Sequence, residues 1–244
     1  MKIIFPSLRR FVLLALPFIG MHQDSGSECA TQDPVDVPEI VAETCREDEA
    51  TALLRRLESA HAGIGAFSSP VTYRRDYALE GDFETRIGEV AMRGQGPDRE
   101  IILVFDRVID ASGHGTEQPR YHLYRDGWWS EVDPARKRVV ARQIQAPGSD
   151  RDPFDLGEGP LPLPIGQKAD RVLRRFEVSI GTPPDDPVLR AIADPLVLHL
   201  VPRPGTPAAE DIAAIDLLYD RTSLLPLGLL IVDENEDRTT AWMR

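Results

Sequence analysis

Cysteine is almost missing from these 244 residues: Cys29 and Cys45 are the only two, both near the N-terminus and without CxxC or HxxxH spacing. That is too few soft ligands for a structural zinc site, so no metal and no cofactor is expected. Long apolar runs are missing too. The run from Phe11 to Gly20 falls far short of the roughly 20 residues that span a bilayer. No Gly-x-Ser-x-Gly frame surrounds Ser25-Gly26-Ser27 or Ser112-Gly113-His114, and Gly157-x-Gly159 lacks the strand, frame and helix of a phosphate loop. Positive charge is scarce, and a net charge of −12 with a pI near 4.9 argues against nucleic acid or anionic membrane surfaces as partners. The basic doublets Arg55-Arg56, Arg74-Arg75 and Arg174-Arg175 read as solvated faces. His61, His114, His122 and His199 are scattered, and the carboxylate pairs Asp185-Asp186 and Glu234 with Glu236 sit in turn-like stretches. An enzyme is therefore not expected. A hydrolase survives only if folding brings His122 or His199 beside a serine and a carboxylate.

What is present begins with an export pattern. Lys2, Arg9 and Arg10 precede the Phe11 to Gly20 run, and small polar residues follow, so residues 1–30 read as a Sec-type signal and the chain as periplasmic. Lipid anchoring through Cys29 is the weaker alternative, because Glu28 stands directly before it. Cleavage before Cys29 leaves a pair able to bridge in an oxidising compartment, worth up to roughly 3 kcal/mol, whereas cleavage after Ala30 leaves one thiol. Residues 31–43 form an acidic, proline-containing arm, and residues 44–244 the folded domain.

Thr44 and Glu47 have capping-box spacing, predicting a helix to about Ala62. Leu53, Leu54, Leu57 and Ala60 recur at three- and four-residue steps on one face of it. From Val71 the period changes to two. A hairpin is predicted over Val71 to Leu79 and Phe83 to Arg93, with a bulge at Gly88 because the apolar phase switches from Phe83 and Ile87 to Val90 and Met92. Arg99 to Ile109 follows as a strand, and Ala111 to Pro119 as a polar loop. The most informative stretch is Arg120 to Ile144, where Asp126-Gly127 and Asp133-Pro134 divide three short strands into a meander. Residues 146–166 are too rich in proline and glycine for a regular element, yet carry Phe154, Leu156, Leu161, Leu163 and Ile165. Such a loop is expected to pack as a lid. A short helix over Gln167 to Arg175 then leads into strands at Phe176 to Ile180, Leu196 to Pro202, Ala213 to Asp220, Leu225 to Asp233 and Arg238 to Met243.

A sheet of this many strands that curves encloses more volume than one helix and one loop fill, which makes its concave side the candidate site. The expected lining is Tyr73, Tyr77, Leu103 and Phe105 from early strands, with Tyr121, Leu123 and Trp129 from the meander. Leu196, Leu198, Leu200, Leu217 and Leu229 add the late strands, and Leu53 and Leu57 the helix.

The order of these elements resembles the LolA-like family of periplasmic outer-membrane lipoprotein carriers and lipoprotein-sorting proteins. The passages that carry the resemblance are the helix and turn over Leu53 to Phe67, Gly88 to Arg93, Asp126-Gly127-Trp128-Trp129 with Asp133-Pro134, and Leu196 to Pro202. Ile215-Asp216-Leu217 and Leu225-Pro226 complete it. It implies a mainly β fold: an unclosed antiparallel β-barrel, a half-barrel with an N-terminal helix and a loop or helix lid, binding acyl chains of lipoproteins or lipids. It also implies inner-membrane donor and outer-membrane acceptor partners, a monomer, and a lid-closing role for Arg93. The sequence departs from the family where Gly94-Gln95-Gly96-Pro97 follows Arg93, where the hairpin is shorter, and where Gly157 to Gln167 is unusually proline-rich. The expected function is a carrier or chaperone for outer-membrane sorting. The alternative is an envelope sensor that uses the same scaffold to bind a protein or lipidated peptide.

Overall fold

The computed structural model describes residues 48–95, 98–149, 152–157 and 160–243, which fall within one compact unit, Arg46–Arg244. The signal segment, the arm, both cysteines and the Thr44 to Glu47 capping box lie outside the described residues. Helix α1 spans Glu49–His61, and its cap is Asp48, whose carboxylate accepts from the Thr51 backbone N–H at 2.8 Å and from its hydroxyl at 2.7 Å. Ala50, Leu53, Leu54, Leu57 and His61 form its buried face.

Eleven strands follow: β1 (Ala66–Tyr77), β2 (Asp82–Arg93), β3 (Glu100–Asp110), β4 (Gly115–Arg125), β5 (Trp128–Asp133), β6 (Arg138–Gln143), β7 (Phe176–Ile180), β8 (Leu196–Pro202), β9 (Ile212–Tyr219), β10 (Pro226–Asp233) and β11 (Arg238–Met243). Helix α2 (Ala169–Arg175) precedes β7, and a four-residue helix α3 (Ala208–Asp211) precedes β9. The strands make one antiparallel sheet in the order β6-β5-β4-β3-β2-β1-β11-β10-β9-β8-β7. It is therefore two meanders joined where β1 pairs with β11, with β6 and β7 left as edges. The sheet is open. The chain between those edges, residues 144–175, carries the lid segment and α2.

A two-residue turn sets the register of β4 against β5. Asp126 and Gly127 both take positive φ, which suits the right-handed twist of a hairpin and places Tyr124 opposite Trp129. At Gly88 the expected irregularity is present, but the extra residue is in β3: Ile87 faces Arg107 and Gly88 faces Phe105, leaving Asp106 over. The β1–β2 ladder passes Gly88 unbroken. A Cβ on Gly88 would lie 1.8 Å from the Val104 carbonyl oxygen, so only glycine allows this approach. Phe83 and Ile87 consequently stay on the outer face, where the Arg74 guanidinium covers the Phe83 ring at 4.0 Å.

The predicted loop over Ala111 to Pro119 is a correction. Asp110 accepts from the backbones of Ser112 and His114 at 3.0 Å, closing a tight turn, and β4 already begins at Gly115. Pro119, which has no N–H to give, sits at the register shift between β3 and β4.

The main core lies between one face of the sheet, α1 and residues 152–157 and 160–165. A second, smaller core of Leu189, Val197, Leu218 and Leu230 lies on the opposite face of the late strands, joined by Ile192 and Trp242. Strands β8 to β10 are thus covered on both faces, which explains runs such as Leu196-Val197-Leu198 where simple alternation disappears.

Candidate functional site

Strand pairing places a continuous inward row across the sheet: Leu198, Leu217, Leu229, Ala241, Tyr73, Arg86 and their neighbours in β3 to β5. Of the expected lining, Leu53, Leu57, Leu103, Phe105, Trp129, Leu198, Leu200, Leu217 and Leu229 are buried in the main core, and Tyr73 and Leu196 pack against it. Tyr77 is half-buried at the open end beside Arg75.

Tyr121 and Leu123 are the exceptions. They pair with Val132 and Ser130 on the outer face, and Leu123 is 37% exposed. His122 and Tyr124 face inward in their place. A side-chain period of two makes this an all-or-nothing error of phase. The signal was in the sequence: a two-residue turn at Asp126-Gly127 pairs Trp129 with Tyr124, so both must share a face.

The inward aromatics form a chain. Tyr73 and Phe105 have ring centroids 5.9 Å apart, Phe105 and His122 6.0 Å, His122 and Trp129 5.6 Å, and Trp129 and Phe154 6.1 Å. Tyr124 meets Phe154 edge-on at 4.7 Å. Burial lowers the pKa of His122; the Glu131 charge opposes this, and the Arg86 and Arg120 charges add smaller contributions in the direction of burial.

Residues 152–157 and 160–165 plug this face. Phe154, Leu156, Leu163 and Ile165 are buried and Leu161 is half-buried. Gln167 ties the limbs of the plug together: its amide donates to the carbonyls of Phe154 at 2.8 Å and Leu163 at 2.7 Å, and its oxygen accepts from Leu156 at 3.0 Å. Buried Asp155 pairs with Arg171 at 3.0 Å and Arg175 at 3.5 Å, tying the plug to α2. The space left between the plug and Val71, Val90, Leu103 and Leu229 is about 40 Å³.

Arg93 does not touch the plug. Its side chain is exposed on the outer face and pairs with Glu100, because the end of β2 carries it away from the core. Arg99, just before β3, is the arginine at the plug: it is 6% exposed, and its Nη1 lies 2.9 Å from Asp152. Its neighbours on the plug side include Gly166, which leaves room for the guanidinium. Nothing in the sequence spacing distinguished Arg99 from the exposed arginines around it.

His61 bridges α1, the plug and the turn before β10. Its Nε2 donates to the Leu224 carbonyl at 2.8 Å, while the Gly166 N–H donates to Nδ1 at 3.4 Å, which fixes the neutral Nε2–H tautomer. Burial pushes its pKa down, only partly offset by the Leu224 contact.

At the open end of the same face, a basin of about 410 Å³ lies between Arg75, Arg86 and Arg120 above a floor of Leu103, Phe105, Trp129 and Leu161. Arg75, read from the sequence as part of a solvated doublet, points into this basin.

The condition set for a hydrolase finds a partial counterpart. His199 faces Ser179 across β7–β8 and Asp216 across β8–β9, with its Nδ1 2.7 Å from the Asp216 carboxylate. This row lies on the outer face of the sheet, no hydrogen bond joins Ser179 to His199, and no described cavity is lined by the three residues. It is a polar cross-strand ladder. Among the described residues no group of three His, Cys, Asp or Glu side chains is placed to hold a metal.

No family model matches the chain, and no curated protein matches it. Among solved structures it is similar to an uncharacterized conserved protein from Thermus thermophilus, at 12% identity over 80% of this chain and 85% of that one, with a TM-score of 0.44. It is similar also to the Pseudomonas aeruginosa MucA/MucB complex structure, at 16% identity over 80% of this chain and 56% of that one, with a TM-score of 0.41. A putative outer membrane lipoprotein-sorting protein domain from Vibrio parahaemolyticus shares 11% identity over 80% of this chain and 90% of that one, with a TM-score of 0.35.

Proposed function

We propose that this chain is a non-enzymatic interaction protein of the cell envelope that senses acyl-bearing ligands, such as lipids or lipidated peptides, on the concave face of a half-barrel. The observation that carries this reading is the plug. A non-regular segment contributes Phe154, Leu156, Leu163 and Ile165 to the core and is held by one glutamine, one buried aspartate and His61. Apolar side chains that fill a groove are replaceable by methylenes, each worth about 0.8 kcal/mol on burial. A ligand that displaces them changes the loop, and a loop changed by ligand is a signal that a partner can read. The export pattern of residues 1–30 supports the envelope location.

The filled groove favours sensing over carriage, because a carrier's resting cavity is expected to be open. The carrier reading is supported by the adjoining 410 Å³ basin, which needs no plug movement to admit a ligand.

Native mass spectrometry of the mature chain purified from an envelope extract tests both. Co-purified acyl lipid or lipoprotein with unchanged exchange protection of residues 152–165 supports a carrier. Ligand-dependent loss of that protection supports the sensor. An empty chain that takes up no fluorescent fatty acid, in wild type or in Gln167→Ala, overturns both.

A further inference from the structure

We infer that the basin at the open end of the concave face binds the oxyanion head of a single-chain amphiphile, a carboxylate or phosphate, with Arg75, Arg86 and Arg120 as the recognising groups. This rests on the acyl-binding reading and names the chemistry of the head that goes with the tail.

In a chain of net charge −12, three guanidiniums converge on one basin whose lining, among the described residues, holds a single carboxylate, Glu84. Each guanidinium has one acidic neighbour among the described residues: Arg86 is 2.6 Å from Glu84, Arg120 is 2.5 Å from Asp133, and Arg75 is 3.6 Å from Asp237. One carboxylate does not use up the five N–H donors of an arginine. The side chains of Arg75, Arg86 and Arg120 remain 44%, 20% and 24% exposed, so each keeps solvent-facing surface beyond its carboxylate contact. The acidic neighbours orient the forks and leave donors for a further oxyanion, the geometry in which arginine outperforms lysine.

The floor argues that the anion is attached to something apolar. Phe105 and Trp129 lie beneath the arginines, and Leu161 forms the edge shared with the plug. A head held by Arg75, Arg86 and Arg120 would send its chain over Phe105 towards Leu161, where the plug meets the sheet. Beside the arginines, half-buried Tyr73, Tyr77 and Leu161 leave apolar surface facing the basin, while Phe105 and Trp129 are already buried beneath it. An amphiphile satisfies both halves.

Isothermal titration of the full chain at neutral pH with three probes tests this: dodecanoate, dodecanol and inorganic phosphate. The expected result is that dodecanoate binds at least about tenfold more tightly than dodecanol, and that Arg75→Gln and Arg86→Gln each remove most of that dodecanoate-over-dodecanol preference. Equal binding of dodecanoate and dodecanol by wild type overturns the head-group inference and leaves acyl binding standing. Failure of both to bind removes the acyl-binding reading itself. Phosphate binding as tightly as dodecanoate overturns the amphiphile in favour of a free-anion site. The wild-type comparison stands even if a variant fails to fold.

Discussion

The Tyr219 hydroxyl, buried at the end of β9, donates a hydrogen bond of 2.9 Å to the carbonyl of Pro164, fastening the plug to the middle of the late sheet. Burial raises its pKa strongly, so the group stays a neutral donor. Tyr219→Phe keeps the ring and removes only the hydroxyl. It is expected to cost about 1–3 kcal/mol by leaving a buried carbonyl unpaired, and hydrogen exchange should show the loss concentrated in residues 160–166. Uniform loosening of the sheet would contradict the fastening role.

Gly88→Ala tests the bulge. The new methyl meets the Val104 carbonyl, which is backbone and cannot rotate away. Overpacking typically costs about 1–3 kcal/mol, and a backbone obstacle places this substitution at the upper end. Urea unfolding measures it; a neutral result would mean that β2 and β3 pair differently here.

The phase of β4 is checked by a pair of substitutions. Leu123→Ala on the outer face should change stability by no more than about 0.5 kcal/mol, while Tyr124→Ala, which empties the space against Phe154, should cost about 3–5 kcal/mol. Reversed magnitudes would put Leu123 in the core.

Stability should fall with acid through His61. Its folded pKa lies below the ordinary 6.5, so the neutral ring favours the folded state. That contribution is complete above about pH 6.5 and is lost as pH falls through the lowered folded value. His122, also shifted down, adds in the same direction. Melting temperature should therefore drop between pH 7.5 and pH 5, and His61→Gln, which keeps a donor for Leu224, should flatten part of that slope. An unchanged slope would remove His61 as its source.

Ser179 should behave as an ordinary surface serine. A fluorophosphonate probe is expected to leave it unlabelled at neutral pH, since no hydrogen bond joins it to His199 and the ladder lies outside every described cavity. Selective labelling that His199→Ala abolishes would reopen the hydrolase reading.

What the sequence determined by itself was local. Alternation and turn chemistry placed β7, β8 and β11 at their observed bounds and most other strands within a few residues, because Asp-Gly and Asp-Pro turns and a period of two are properties of neighbouring residues. The plug was legible for the same reason: a proline-rich segment with five spaced apolar side chains has to cover something. The choice of Arg99 over Arg93, of Tyr124 over Leu123, and the gathering of Arg75, Arg86 and Arg120 were decided only by the tertiary structure. Those outcomes depend on which strands pair, on the extra residue in β3, and on the crossing of the plug from one sheet edge to the other, relationships between residues far apart in the chain.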